Sequence, residues 1–237
     1  MNNVVEKFYN YIPFNVGEDI YGDNIPWTFI SNNIKNCNTV TELGCGTGWL
    51  SSRIKSNYPS TTVKGIDVSE TAITTAKSRS QDIEFIKEDI TTYNSKSDMV
   101  ISVGVLHHIP DHDIYDLMCK AINLSNKYTF IGLYHTQSRK AMFDFFNNYP
   151  THKHKKLFKK MAPHIKHKEQ RESWFRDQFK HPFETTTTLK VYNQVAKDTN
   201  TKLVYTNINT DETYNSTMEI LETFEFQSGF IYGGFVK

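Results

Sequence analysis

Thr39-Val-Thr-Glu-Leu-Gly-Cys-Gly-Thr-Gly48 is the stretch that decides the fold of this chain. A short β-rich run, Thr39–Leu43, precedes three glycines at every second position, and an amphipathic segment, Trp49–Asn57, follows them. Glycine tolerates backbone angles that other residues avoid, so this loop can turn sharply and let a ligand approach its backbone. The pattern predicts a strand, a ligand-binding turn and a helix.

Strands and helices are predicted to alternate beyond this loop. The predicted strands are Thr62–Asp67, Ile83–Lys87, Met99–Val105, Tyr128–Tyr134, Lys202–Ile208 and Phe230–Val236, and the predicted helices are Glu70–Ser80, Asp113–Leu124 and Leu189–Asp198. The apolar run Met99–Val105 is typical of a strand that is covered on both faces. This alternation predicts an α/β fold with a parallel sheet between two layers of helices.

Two regions fall outside the alternation. Residues 1–36 mix aromatic residues with proline and glycine and predict an ordered N-terminal cover. Residues 135–188 are too long for a simple crossover and predict a helical lid inserted after the fifth strand. Because no linker-like stretch separates these regions from the rest, residues 1–237 are expected to form a single domain.

The composition excludes several classes of protein. With 38% hydrophobic and 22% charged residues, the chain is neither collagen-like nor wholly disordered, and its net charge of +1 indicates no partner. The longest apolar stretch, Met99–Leu106, is too short to span a bilayer, and Met1–Asn15 lacks an apolar signal core. Three cysteines without framework spacing are typical of a reducing compartment, so a cytoplasmic location is expected.

The glycine loop departs from a dinucleotide-binding fingerprint at two positions. Trp49 stands where the third glycine of that fingerprint is needed. Glu42, at the end of the first predicted strand, would place a carboxylate beside the pyrophosphate and repel it. A ligand with a cationic group near the glycines suits this loop better.

Glu42-Leu-Gly-Cys-Gly-Thr-Gly48 resembles the first motif of the class I S-adenosylmethionine (SAM) dependent methyltransferases. Three further stretches resemble the later motifs of that family, in order: Gly65-Ile-Asp-Val-Ser69, Phe85-Ile-Lys-Glu-Asp-Ile90 and Met99-Val-Ile-Ser-Val-Gly-Val-Leu-His-His-Ile-Pro-Asp111. The double histidine of the last motif is common in the branch near the quinone C-methyltransferases and the wobble-uridine tRNA methyltransferases. The resemblance covers residues 37–134 and the ending Phe230–Val236.

The resemblance implies a Rossmann-like methyltransferase fold, whose seven-stranded sheet is mostly parallel with an antiparallel last strand. It implies SAM as the cofactor and S-adenosylhomocysteine (SAH) as the product. Asp67 would accept hydrogen bonds from both ribose hydroxyls, Asp89 would accept one from the adenine amine, and Ile90 would pack on the adenine ring. The other cofactor-binding residues that it implies are Glu42, Gly44, Cys45, Gly46, Gly48, Val68 and Val103.

Aromatic residues near the N-terminus are candidates for the cofactor site. Tyr9 and Tyr11 could stabilise the sulfonium charge through cation–π contact. The alternative is that they serve as hydrophobic cover. We carry both tyrosines forward as candidate cofactor-binding residues.

Histidines follow two of the predicted strands, at the edge where α/β sheets bind substrates. His107 follows the fourth strand and is a candidate general base, and His135 ends the fifth and is a second candidate. The alternative is that one histidine packs under the sheet edge and another braces the cofactor. No metal site is expected, because the remaining histidine-rich segment lacks cysteine or carboxylate companions at ligand spacing.

The function expected from these features is methyl transfer from SAM to a small-molecule acceptor. The sequence leaves open the acceptor, its reacting atom (O, N or C) and the oligomeric state. A basic segment, His152–Lys168, carries seven lysines and no acid, so a tRNA methyltransferase is the alternative. Nucleic acid is not favoured, because Phe158 is the only aromatic residue among these lysines. A second alternative is a non-catalytic module of the same fold that binds a partner protein.

Overall fold

The computed structural model describes residues 2–11, 27–136, 185–209, 211 and 230–237. These residues form seven strands: β1 (Thr39–Leu43), β2 (Thr62–Asp67), β3 (Glu84–Lys87), β4 (Ser97–Val103), β5 (Ser125–Tyr134), β6 (Lys202–Thr206) and β7 (Phe230–Val236). They also form the helices α1 (Asn2–Tyr11), α2 (Trp27–Ile34), α3 (Trp49–Asn57), α4 (Glu70–Arg79), α5 (Asp111–Leu124) and α6 (Leu189–Asp198). A short 3₁₀ turn, Leu106–His108, follows β4.

The seven strands form one mixed sheet in the order β3–β2–β1–β4–β5–β7–β6. Strands β1 to β5 are parallel, and β7 runs antiparallel to both of its neighbours, β5 and β6. The predicted fold, mostly parallel with an antiparallel last strand, is therefore confirmed. The order of the strands reverses between β1 and β4, and α/β sheets bind ligands at such a switch point, beyond the carboxyl ends of the strands.

Two apolar layers cover the two faces of the sheet. Successive residues of β4 alternate between them: Met99 and Ile101 belong to the layer that contains Phe29, whereas Val100 belongs to the layer that contains Met118. Because side chains of a strand point alternately to opposite faces, successive residues of a strand covered on both faces are mostly apolar. This explains the apolar run Met99–Ile101 at the centre of β4.

The predicted and observed bounds agree for five of the elements and differ by a few residues for the others. Strand β4 ends at Val103 instead of Val105, because Gly104 has a φ of 70°, which is incompatible with extended backbone. Helix α4 begins after Ser69, whose Oγ accepts a hydrogen bond from Ala72 N at 3.2 Å. This contact is an N-terminal cap, which satisfies one of the N–H groups that the first turn of a helix leaves unpaired.

The two irregular regions are described only in part. Of the predicted N-terminal cover, residues 1–36, the structure describes α1, α2 and the residues after α2, and of the predicted lid, 135–188, it describes only the two ends. Thr187 N donates to Tyr134 O, and Thr136 N donates to Thr187 O, so the returning end pairs with the end of β5. The basic segment 152–168 lies outside the described residues, and the single domain with a lid stays a prediction.

Candidate active site

The glycine loop, residues 44–48, carries the chain from β1 into α3. Its three glycines have φ angles of 74°, 51° and 75°, all in the left-handed region that favours glycine. Gly44 N and Cys45 N both donate to Ile66 O, at 2.7 and 2.9 Å. The loop is thus anchored to β2, the neighbouring strand.

The three glycines of this loop have different surroundings. A Cβ atom on Gly44 would overlap the side chain of Val105, and one on Gly48 would lie 2.6 Å from Phe85. A Cβ atom on Gly46 would meet no atom of the described residues within 4 Å. Packing therefore requires glycine at 44 and 48, whereas none of the described residues fills the space beside Gly46, into which a ligand could fit.

Asp67, the last residue of β2, lies beside Gly46, and backbone N–H groups hold its carboxyl group in place. Its Oδ2 accepts from Gly46 N, and its Oδ1 accepts from Ser69 N, both at 2.8 Å. Burial raises the pKa of Asp67, although hydrogen bonds from backbone N–H groups, including that of Val68, act in the opposite direction. Its two oxygens are held in place by backbone donors, and their remaining lone pairs can accept from the hydroxyl groups of a ligand.

Glu42 is the second carboxyl group beside the loop, and it is only 6% exposed. Its Oε2 accepts from Ser51 N at 2.9 Å and from Ser51 Oγ at 2.5 Å. Burial, with a smaller contribution from the charge of Asp67, raises the pKa of Glu42 to about 8 despite these hydrogen bonds. In the protein without ligand, this side chain is therefore mostly neutral at pH 7.

The raised pKa of Glu42 makes stability depend on pH. The unfolded chain loses this proton near the ordinary value of 4.5 and the folded chain near 8, so the stabilisation is complete below 4.5 and is lost as pH rises to about 8. The glutamine of Glu42→Gln cannot ionise, so we expect this variant to raise the melting temperature by about 10 °C at pH 8 and far less at pH 5. Thermal unfolding at both pH values checks this, with the exposed Asp82→Asn as control. An equal shift at both pH values would contradict it.

Asp89 and Ile90, the predicted adenine contacts, follow the end of β3 and are half-buried. Asp89 Oδ1 accepts from Thr91 N at 2.8 Å, and Asp89 O accepts from the N–H groups of Thr92 and Tyr93. These bonds form a turn that holds the carboxyl group at the carboxyl edge of the sheet. The role of both residues in binding adenine stays a prediction.

Three other predicted cofactor residues border the same loop or strand ends. Val68 directly follows β2, Val103 is the last residue of β4, and both are half-buried. Cys45 is 5% exposed, and its Sγ would lie 2.8 Å from a Cβ atom on Gly65 of β2. Burial raises the pKa of the Cys45 thiol well above its ordinary value. The Cys45 side chain thus packs against β2, which leaves its backbone as the part that lines the loop.

Helix α1 crosses the carboxyl ends of β2, β3 and β4. Asn10 Oδ1 accepts from Ser69 Oγ at 2.8 Å, Glu6 pairs with Lys87 at 2.8 Å, and Tyr9 Oη lies 2.6 Å from His108 Nε2. Tyr9 therefore lies at the carboxyl edge of the sheet, in contact with a histidine, and its role in binding the cofactor stays a prediction. The side chain of Tyr11 lies outside the described residues.

His107 is buried in a group of aromatic rings at the end of β4, with 1% of its surface exposed. Its ring centroid lies 3.8 Å from that of His108 and 4.2 Å from that of Tyr134. His108 is also buried and links this group to Tyr9. The structure thus brings both histidines and Tyr9 together, and Tyr9 is the more exposed member of the group.

His135, the second predicted base, lies at the end of β5 and contacts Asp211. Its Nε2 lies 3.1 Å from Asp211 Oδ1, which also accepts from Leu189 N at 2.6 Å. Burial alone would raise the pKa of Asp211, but the hydrogen bonds from Leu189, His135 and Lys190 leave it lowered. His135 thus pairs with an acid that caps α6, an arrangement that accounts for its burial without catalysis. Its catalytic role stays a prediction.

Sequence reasoning missed three residues that organise the site: Asn10, Ser51 and Asp211. Ser51 lies in the first turn of α3, directly after the glycine loop, and that position was a usable signal. Asn10 and Asp211 are far in sequence from the side chains that they contact, so no local pattern indicates them.

Within the described ranges, no three His, Cys, Asp or Glu side chains are grouped so as to hold a metal ion. None of the described helices combines the length and apolarity needed to cross a membrane.

Comparison with known sequences agrees with this geometry. Residues 40–126 match the family model of the methyltransferase domain. Trans-aconitate 2-methyltransferase of Escherichia coli O7:K1 is 29% identical over 102 residues, which is 42% of this chain and 40% of that protein. The chain thus spans about two fifths of the length of the curated relatives that it matches.

Solved structures match over nearly the whole chain. Magnesium protoporphyrin IX methyltransferase from Synechocystis PCC 6803, with bound SAH, aligns with a TM-score of 0.65 at 15% identity and covers 100% of both chains. The plantazolicin methyltransferase BpumL, in complex with a triazolic desmethylPZN analog and SAH, aligns with a TM-score of 0.58 at 15% identity, and the alignment covers 99% of this chain and 95% of that one. At this identity the similarity shows a shared fold.

Proposed function

We propose, from the match of residues 40–126 to the family model of the methyltransferase domain, that this chain is a class I SAM-dependent methyltransferase and transfers a methyl group from SAM to a small-molecule acceptor. One observation carries the proposal. None of the described residues fills the space beside Gly46, Asp67 accepts a hydrogen bond from the Gly46 N–H, and Glu42 adds a second carboxyl group at the end of β1, just before the loop. A glycine backbone with two carboxyl groups nearby suits a ligand that has hydroxyl groups and a cation.

Each side chain has a distinct part in this proposal. Asp67 would accept hydrogen bonds from the two ribose hydroxyls, and Glu42 would accept one from the ammonium group of the methionine part. Asp89, in its turn after β3, would accept the adenine amine, and Ile90 would pack on the ring. SAM, when bound, supplies a methyl group activated by a positively charged sulfur.

The acceptor is proposed to be a small molecule. The relatives and neighbours are named for trans-aconitate, magnesium protoporphyrin IX and plantazolicin, which supports this class of acceptor. An in-line displacement needs chiefly alignment and exclusion of water, with removal of a proton where the acceptor atom carries one. His107, backed by His108 and Tyr134, is the proposed proton acceptor at the end of β4.

Calorimetry with SAM, SAH and NAD tests the cofactor. We expect SAM and SAH to bind and NAD not to bind, because Trp49 stands where the third glycine of the dinucleotide-binding fingerprint is needed. Binding in the micromolar range corresponds to about −8 kcal/mol. Binding of NAD without binding of SAM would overturn the proposed function.

Isotope-labelled SAM tests the acceptor. The protein is incubated with SAM that carries a labelled methyl group, together with a metabolite extract or bulk tRNA. We expect the label in a small-molecule product. Label in the tRNA alone would establish the alternative acceptor, and SAH binding without labelling of either fraction would favour the non-catalytic module.

A further inference from the structure

The contacts of Glu42 are confined to one of its two oxygens. Ser51 N and Ser51 Oγ both donate to Oε2, at 2.9 and 2.5 Å. No group of the described residues donates to Oε1. One residue of α3 therefore orients this carboxyl group and leaves its second oxygen able to meet a ligand.

The surroundings of Glu42 disfavour a negative charge there. In the sheet, Glu42 lies opposite Gly65 of β2 and Ile101 of β4, which carry no charge, and α3 contributes the neutral Ser51. The titratable groups of the described residues that interact with it are Asp67, at the end of β2, and Cys45, in the glycine loop. Asp67 would add negative charge, and neither group supplies a positive charge that could offset it. A buried carboxyl group without a cationic partner holds its proton.

We propose that Ser51 positions Glu42 as a proton-holding acid that gives up its proton when the ammonium group of the cofactor reaches Oε1. The inference rests on the proposed function, because it assigns the methionine part of SAM or SAH to this acid. The O–H bond of Glu42 breaks, its electron pair stays on the carboxylate, and the proton passes to the buffer. One proton is released for each ligand that binds, and no other bond changes.

The Ser51 hydroxyl suits this exchange because it can serve both protonation states. Towards the carboxylate it donates a hydrogen bond, and towards the neutral acid it can accept one. The Ser51 N–H donates in either state. Ser51 is therefore a positioning residue that sets the pH at which Glu42 exchanges its proton.

The expected signature is a pH-dependent affinity for SAH. While the acid is protonated in the free protein, affinity should strengthen by about tenfold for each pH unit. It should level off above about pH 8, where Glu42 is already ionised before binding. The sign follows from linkage: binding that releases a proton is favoured when protons are scarce.

Titration calorimetry with SAH, in two buffers of different ionisation enthalpy from pH 6 to pH 9, measures the released proton. We expect close to one proton below pH 7 and none near pH 9. Glu42→Gln should abolish the release and weaken binding at pH 8 by about 10- to 100-fold, since a charge-assisted bond is lost. Ser51→Ala should raise the pH of the plateau by about one unit, and Ser51→Thr should restore it.

The control and the outcomes separate this inference from the proposed function. Ser56→Ala, at an exposed position of the same helix, should keep the parent's pH profile. SAH binding without proton release, or release that persists in Glu42→Gln, would overturn the inference alone. A Ser51→Ala variant that is weaker by the same factor at every pH would reduce Ser51 to a structural role. No SAH binding by the parent protein would overturn the proposed function and the inference together.

Discussion

Asp67→Ala is expected to weaken the binding of SAH and SAM by at least about 100-fold. The carboxylate would accept two ribose hydroxyls, and each charge-assisted hydrogen bond contributes about 1.5–3 kcal/mol. The same substitution leaves Gly46 N and Ser69 N without their acceptor, so the loop also loses its preformed shape. Calorimetry of the folded variant measures the effect.

Two further variants bracket this result. Asp89→Ala should weaken binding less, because a single neutral amine is involved there. Asp82→Ala, an exposed position near the start of β3, should bind as the parent does. If Asp67→Ala unfolds at the parent's temperature and still binds SAH with the parent's affinity, the ligand does not lie beside the end of β2.

Gly44→Ala is expected to cost about 2–5 kcal/mol of the free energy of unfolding. The left-handed backbone at this position costs a residue with a Cβ atom about 1–2 kcal/mol, and the overlap with Val105 adds an overpacking cost of about 1–3 kcal/mol. Val105 leads into the turn that carries His107, so it cannot move without displacing that turn. Chemical denaturation of parent and variant measures the difference.

Gly46→Ala is the matched comparison, because it makes the same chemical change in the same loop. Its Cβ atom meets no described atom within 4 Å, so we expect a loss of stability of about 1–2 kcal/mol, from backbone strain alone. The added methyl group would stand in the open space beside Asp67, and SAH binding should fall by about tenfold or more. Equal stability losses for the two variants, with unchanged binding for Gly46→Ala, would show that this space does not hold the ligand.

The sequence by itself determined the elements and their kind. Three alternating glycines after a β-rich run predict the turn between β1 and α3, because left-handed backbone is a local demand that glycine meets. The apolar run that became β4 predicts a strand covered on both faces, because side-chain periodicity is also local. Local properties of this kind can be read without knowing what packs where. That the last strand runs antiparallel was implied by the family resemblance alone, because no local pattern indicates it.

The tertiary structure alone decided how the candidate site residues are held. Ser51 meets Glu42 because α3 folds back onto the sheet, where it contacts β2, and Tyr9 meets His108 across 99 residues of sequence. His135, predicted as a base, contacts Asp211, which also accepts from the first N–H of α6. Whether Glu42 holds a proton at neutral pH depends on its burial and on the hydrogen-bond donors around it, and neither is a property of the residue itself. Contacts between distant segments are set by how the layers pack, and this packing decides which of the predicted polar side chains are left to meet a ligand.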